Sequence, residues 1–143
     1  MKTFKLVSLT VLEKQDEELI SLPIPLKDGL IINREDEQNR WLIEAYLDKS
    51  YKEFFEKLKN NGQEKVLQVK ITKETNDPAT FIVQILSIND IGDHINVLFM
   101  GTIINRNIKM VEKMLKNLIE QGLQGKSLLE EFKKKMKEVN TPS

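Results

Sequence analysis

The hydrophobic period of this chain changes once, near Asn105. Before that point apolar and polar residues mostly alternate with the period of two that a strand requires. After it, Ile108, Val111, Leu115, Leu118 and Ile119 recur at helical spacing. Such a chain predicts a body of strands over residues 1–105, a helical hairpin over 106–139 packed on that body, and a tail at 140–143, all within a single structural domain. A chain of 143 residues can close one core without covalent staples.

The strand body reads in detail. Phe4 and Leu6 lie on one face of the first strand and Val7, Leu9 and Val11 on the other, a change of side that predicts a bulge and suits a barrel or curled sheet. Ile20, Leu22, Ile24 and Leu26 share a face opposed by Pro23 and Pro25. Two missing ladder donors make this an edge or bulged strand. Asp28-Gly29 is a favoured hairpin dipeptide and predicts a turn into Leu30–Ile32. Trp41, Ile43, Ala45 and Leu47 group by alternation as a strand. Ser50 and Glu53 form a capping box for a short helix near 50–59 with Tyr51, Phe54, Phe55 and Leu58 on one face, closed by Gly62. Lys65–Lys73, Thr80–Ile88 and His94–Ile104 are three more strands, separated by the turn formers Asn76-Asp77-Pro78 and Asn89–Asp93. Short connections without crossover helices predict antiparallel neighbours closing into a small barrel.

The helical part has clear punctuation. The first helix carries Ile108, Val111, Met114, Leu115, Leu118 and Ile119 on one side and should end at Gly122, with Leu123 following as in a Schellman cap. Ser127 and Glu130 form a second capping box, after which Leu128, Leu129, Phe132, Met136 and Val139 share a face. Glu130 with Lys134 and Glu131 with Lys135 are spaced as ion pairs worth a few tenths of a kcal/mol each. Burying the apolar side of the first helix is worth roughly 9–18 kcal/mol gross, so packing decides whether the hairpin forms.

Composition removes several function classes. Lysine and arginine total 22, and aspartate and glutamate total 22, so no global field draws the chain to nucleic acid or anionic lipid. The longest strictly apolar run is Val97–Met100, far short of the ~20 residues of a membrane-spanning helix. The absence of cysteine removes disulfides and thiolate chemistry and agrees with a reducing interior. Lys5, Ser8 and Thr10 interrupt the first twelve residues, which therefore do not read as a signal peptide. The expected location is the cytoplasm.

Few residues offer chemistry. His94, the single histidine, stands beside Asp93 and near Asp90, a combination that suits a base or a metal ligand but is read as a turn entering a strand, since no second histidine or cysteine accompanies it. Glu35, Asp36 and Glu37 cluster between Arg34 and Arg40 without the glycine and spaced oxygen ligands of a calcium loop, and read as a solvated loop. Lys133, Lys134, Lys135 and Lys137 spread around their helix and read as a solubilising surface. Trp41 is expected as a core anchor and Tyr46 as an alternative stacking surface. Met114 and Met136 are expected in the core, and Met110, off the apolar stripe, as a docking candidate. No catalytic, cofactor-binding or metal-binding residue is assigned, because phosphate loops, nucleophile elbows and zinc-protease helices are absent from the sequence.

The string Lys27-Asp28-Gly29-Leu30-Ile31-Ile32-Asn33 leading to Asn39-Arg40-Trp41-Leu42-Ile43-Glu44-Ala45 resembles the YwpF-like family of low-GC Gram-positive bacteria. So do the opening Lys2-Thr3-Phe4-Lys5-Leu6-Val7-Ser8-Leu9, Ile71-Thr72-Lys73, Asn76-Asp77-Pro78-Ala79 and Gln121-Gly122-Leu123. The resemblance spans nearly the whole chain. It implies a β-barrel core with a two-helix pair, a fold that looks like the ring-forming tube proteins of type VI secretion, and it carries no established catalytic constellation. The expectation is a mainly β, α+β protein acting as a non-enzymatic interaction or assembly module, with a protein partner or a second copy of itself, no membrane span and nucleic acid disfavoured. The alternative is a barrel that binds a small ligand or single-stranded nucleic acid, with Trp41 or Tyr46 stacking on it.

Overall fold

The computed structural model describes residues 1–15, 18–62, 64–104 and 108–140; the side chains of 15, 108–111 and 136–140 are outside that description. The strands are β1 (Lys2–Gln15), β2 (Glu18–Ile24), β3 (Asp28–Asn33), β4 (Arg40–Asp48), β5 (Lys65–Ile71), β6 (Ala79–Ile91) and β7 (His94–Ile104). The helices are α1 (Lys52–Asn60), α2 (Ile108–Glu120) and α3 (Gly125–Asn140). Sheet order is β2-β1-β3-β4-β7-β6-β5, and a further β1–β5 pairing closes six strands into an antiparallel barrel, with β2 attached outside the ring. The mainly β barrel with a helical pair is therefore the observed architecture.

The change of face in β1 is a bulge. Its register on β5 shifts between Leu6 and Ser8, so Leu6, Leu9 and Val11 all turn inward despite their uneven spacing. The length of β1 also decides the fate of the hairpin expected at Asp28-Gly29, which does not form. Lys2–Lys5 of β1 pair with β3 while Leu9–Gln15 pair with β2, so the two strands follow one another along the same edge of β1 instead of pairing together. The chain shifts course at Pro25–Lys27, where Lys27 N–H donates to the Tyr46 carbonyl at 2.8 Å. Gly29 serves packing rather than a turn: a Cβ there would stand 2.9 Å from Leu6 Cδ2 and 3.0 Å from the Glu44 carbonyl oxygen.

Other boundaries move for local reasons. The turn expected over Asn89–Asp93 shrinks to Gly92-Asp93, because Asn89–Ile91 continue the β6–β7 ladder to the Ile91–His94 pair. Gly92 takes φ +59°, the positive value a two-residue II′ turn needs at its first position. Ser50 does not cap α1. Asp48 accepts from Ser50 N–H at 2.9 Å and starts a short 3-10 turn, Lys49–Tyr51, that leads into the helix. Similarly, Leu128 N–H reaches the Gln124 carbonyl, so α3 begins at Gly125 and Ser127 lies inside its first turn. The α2 terminus is the Schellman cap expected: Gly122 (φ +87°) donates to Ile119 and Leu123 to Leu118. Asn140 belongs to α3 rather than the tail, and residues 141–143 lie outside the described residues.

Two hydrophobic cores result. The barrel interior is filled by Leu6, Leu9, Ile31, Ile43, Ala45, Leu47, Leu67, Phe81, Ile95, Val97 and Phe99, with Phe55 and Leu58 of α1 packed into the same cluster. Trp41 takes its expected place against this core, 5.4 Å from the Phe81 ring and 6.4 Å from Phe4. The second core lies on the outer wall. Leu12, Val66, Ile82 and Ile104 meet Leu115, Leu118 and Ile119 of α2 and Leu128 and Phe132 of α3, with Met114 and Leu129 packed alongside. The apolar helix faces thus pack inward; Ile108, Val111, Met110, Met136 and Val139 lie outside the described side chains.

Candidate functional site

Alternation along a barrel strand sends one set of side chains inward and the other to the outer wall. Around β1, β5 and β6 the outward set is covered by α2 and α3. Across the ring from β5, the register places Ile32, Leu42 and Met100 in one row over β3, β4 and β7, and Leu30, Glu44 and Leu98 in the next. Leu30, Ile32, Leu42, Leu98 and Met100 belong to neither core and remain partly exposed. The helices pack elsewhere, α1 against β6 and α2 against β2 and α3. An antiparallel sheet open to water should be polar on its outer side, so this row of apolar residues is the feature that asks for an explanation.

Polar groups frame the patch. At one end Arg34 N–H donates to the Arg40 carbonyl, extending the β3–β4 pairing by one row, and Arg34 Nη1 lies 3.7 Å from Met100 Sδ. Arg40 donates through Nε and through its backbone N–H to Asp36, both at 2.9 Å. The backbone bond from Arg40 is the largest of the influences that hold the Asp36 carboxyl below its ordinary range, with both guanidinium charges adding to it. In the patch itself Glu44 accepts from the Asn96 amide. At the other end Asp28, Leu30, Glu44, Tyr46, Ile91 and Asn96 line a shallow hollow of about 270 Å³.

The residues singled out for chemistry do not converge. Tyr46 stacks on His94 at 4.8 Å between ring centroids, so one face of the candidate platform is occupied. His94 pairs with Asp48 across the β4–β7 ladder rather than with Asp90, which is held by Lys52 at 2.8 Å. Asp48 titrates low, chiefly because Ser50 N–H donates to it, with the His94 charge a smaller influence. Among the described residues no three histidine, aspartate or glutamate side chains group as a metal site. Asp36 of the acidic cluster is a loop lock, bonded also by Gln38 N–H. Lys133 is more than a solubilising charge: its amine lies 2.6 Å from Glu64 Oε2 and ties α3 to the segment before β5. Lys137 lies outside the described side chains.

A second concavity, a groove of about 620 Å³ between the outer wall and the helical pair, is floored by Leu12, Val66 and Leu115 and holds Glu13, Lys14 and Lys65. Burial pushes the Lys65 amine below its ordinary value, opposed by Glu13 at 3.9 Å. No helix among the described residues is long and apolar enough to cross a membrane.

A closed antiparallel barrel with a helical pair on one outer wall and a partly exposed apolar face across the ring defines a barrel-scaffold protein. More particularly, the chain belongs to the YwpF-like protein family, which it matches over residues 2–135. It is 42% identical over 136 residues to the uncharacterized protein YwpF of Bacillus subtilis (strain 168), covering 95% of this chain and all of that one. It is also similar to the crystal structure of a hypothetical protein from Staphylococcus aureus, with a TM-score of 0.67 and 30% identity over 100% of this chain and 96% of the other.

Proposed function

We propose that this protein is a non-enzymatic protein-interaction module whose working surface is the outer face of β3, β4 and β7. The observation that carries the reading is the set Leu30, Ile32, Leu42, Leu98 and Met100, apolar, contiguous across three strands and part of neither core. Removing such a patch from water favours association at about 25 cal/mol per Å² before the costs of binding are met. A barrel interior filled from Leu6 to Phe99 supports this over the ligand-binding alternative, which needs an open chamber. The single-stranded nucleic-acid alternative needs exposed aromatics beside a basic groove, whereas Trp41 packs on the core and Tyr46 on His94. A chain without cysteine suits the reducing cytoplasm, where we place the module. A barrel like that of the type VI secretion tube proteins would be shared fold and would not by itself carry their role.

The test is a photo-crosslinking amino acid at Leu98 in living cells. An adduct of discrete mass that disappears in Leu42→Asp, with the melting temperature unchanged, is the expected result. A position that yields no adduct overturns the reading.

A further inference from the structure

We propose that the occupant of the β3–β4–β7 face is a second copy of this chain, an inference that rests on the interaction reading above. The face is complementary to itself. Its outward rows run Arg34, Arg40 and Thr102; then Ile32, Leu42 and Met100; then Leu30, Glu44 and Leu98. A two-fold axis lying in the interface, perpendicular to the strands and over the middle row, sets Ile32, Leu42 and Met100 against the same residues of the second copy. The same operation places the third row over the first, so Glu44 meets Arg40 of the second copy and Arg40 meets its Glu44. An isologous contact is the commonest closed arrangement, and each charge pair it makes is made twice.

Glu44 is what separates this occupant from others. A carboxylate among leucines is costly to bury without a cation, and its partner within the described residues is the neutral Asn96 amide. The face supplies that cation four residues away along the same strand, two rows off on the outward side. Arg40 gives its Nε–H and backbone N–H to Asp36, and among the described residues its terminal guanidinium N–H groups remain for a carboxylate across the interface. Sheets pack face to face with their strands inclined by about 30°, so the pairing asks for no change of backbone. With three strands about 4.8 Å apart and three rows about 7 Å apart, the footprint is roughly 300 Å² per copy, well under half of a standard interface. The dimer is therefore reversible, with dissociation in the micromolar range or weaker.

Sedimentation of the purified full chain from about 1 μM to 1 mM tests this, the upper concentrations populating the dimer. The expected result is a mass that climbs from that of the 16.6 kDa chain towards twice it. Leu42→Asp should stay monomeric with an unchanged melt. Glu44→Arg alone should weaken the dimer at least about tenfold by setting arginine against arginine, and the double variant Glu44→Arg with Arg40→Glu should restore it. A parent chain monomeric throughout, a dimer indifferent to Leu42→Asp, or a double variant that fails to restore association overturns the proposal. The Leu98 crosslink separates the two failures. An adduct to a different protein, with the chain itself monomeric, overturns the second copy and leaves the interaction reading standing, whereas no adduct removes both.

Discussion

Gly101 pairs with Val83 across the β6–β7 ladder and has no room for a side chain. A Cβ built there would lie 1.9 Å from the Ile82 carbonyl oxygen and 2.6 Å from Val83 Cα, backbone atoms that no side-chain rotation can move away. Gly101→Ala is expected to cost at least about 2 kcal/mol, read from urea unfolding; a neutral result would show that the ladder can open locally. Lys65 is the other residue with a sharp expectation. Its side chain is 11% exposed and its amine titrates below the ordinary 10.5, mainly through burial. The folded state therefore binds the Lys65 proton less tightly than the unfolded state. That penalty is fully present below the folded pKa and fades as pH rises through it towards 10.5. Lys65→Met should raise stability at neutral pH and flatten this rise relative to the parent, measured as the difference between the two melting curves from pH 7 to 10.5. Equal slopes would mean that Glu13 compensates the burial in full.

At the scale of elements, α2 is secured by packing and by its cap. Leu115 is 2% exposed against the outer wall, so Leu115→Ala is expected to cost about 2–5 kcal/mol through lost burial and a cavity, with the oligomeric state unaltered because this face is not the proposed interface. Thermal unfolding and sedimentation together check both halves. The punctuation of α2 was legible in Gly122-Leu123, since a left-handed glycine followed by an apolar residue has few other uses. The two serine capping boxes were misleading. Ser50 follows Asp48, whose carboxylate takes the Ser50 N–H and starts a 3-10 turn first. Ser127 follows a glycine at φ +59°, from which the helix has already begun. A capping box describes a local option, and the chain entering the helix decides whether it is used.

For the whole molecule, two cores separated by one layer of strands predict two levels of protection. The barrel interior is closed by its own ladder, while α2 and α3 depend on the outer wall. In native-state hydrogen exchange the amides of α2 and α3 should open at lower free energy than those of β4 and β7, and Leu115→Ala should lower the first set alone. If both sets fall together, the helical pair and the barrel unfold as one cooperative unit. The candidate interface belongs to this scale as well. Its sequence trace is the set of continuous apolar runs at Leu30–Ile32, Trp41–Ile43 and Val97–Met100, which a strand bearing water on one side does not need. Read by alternation alone, those runs yield only their inward residues, and Leu42, Leu98 and Met100 pass unnoticed.

The sequence by itself determined the kinds of element, the β1 bulge, the α2 terminus and the family, because side-chain period, proline, glycine and local spacing act within a few residues of one another. Only the tertiary structure decided that β2 and β3 share one edge of β1, that Lys133 reaches Glu64, and that the outward residues of β3, β4 and β7 form one face to which, among the described residues, no helix contributes core packing. These depend on pairing between distant segments and on which side of a closed sheet the helices come to rest. A local pattern states that a side chain will be on one face of its strand. Whether that face meets a core, water or another molecule is settled by what the rest of the chain leaves uncovered.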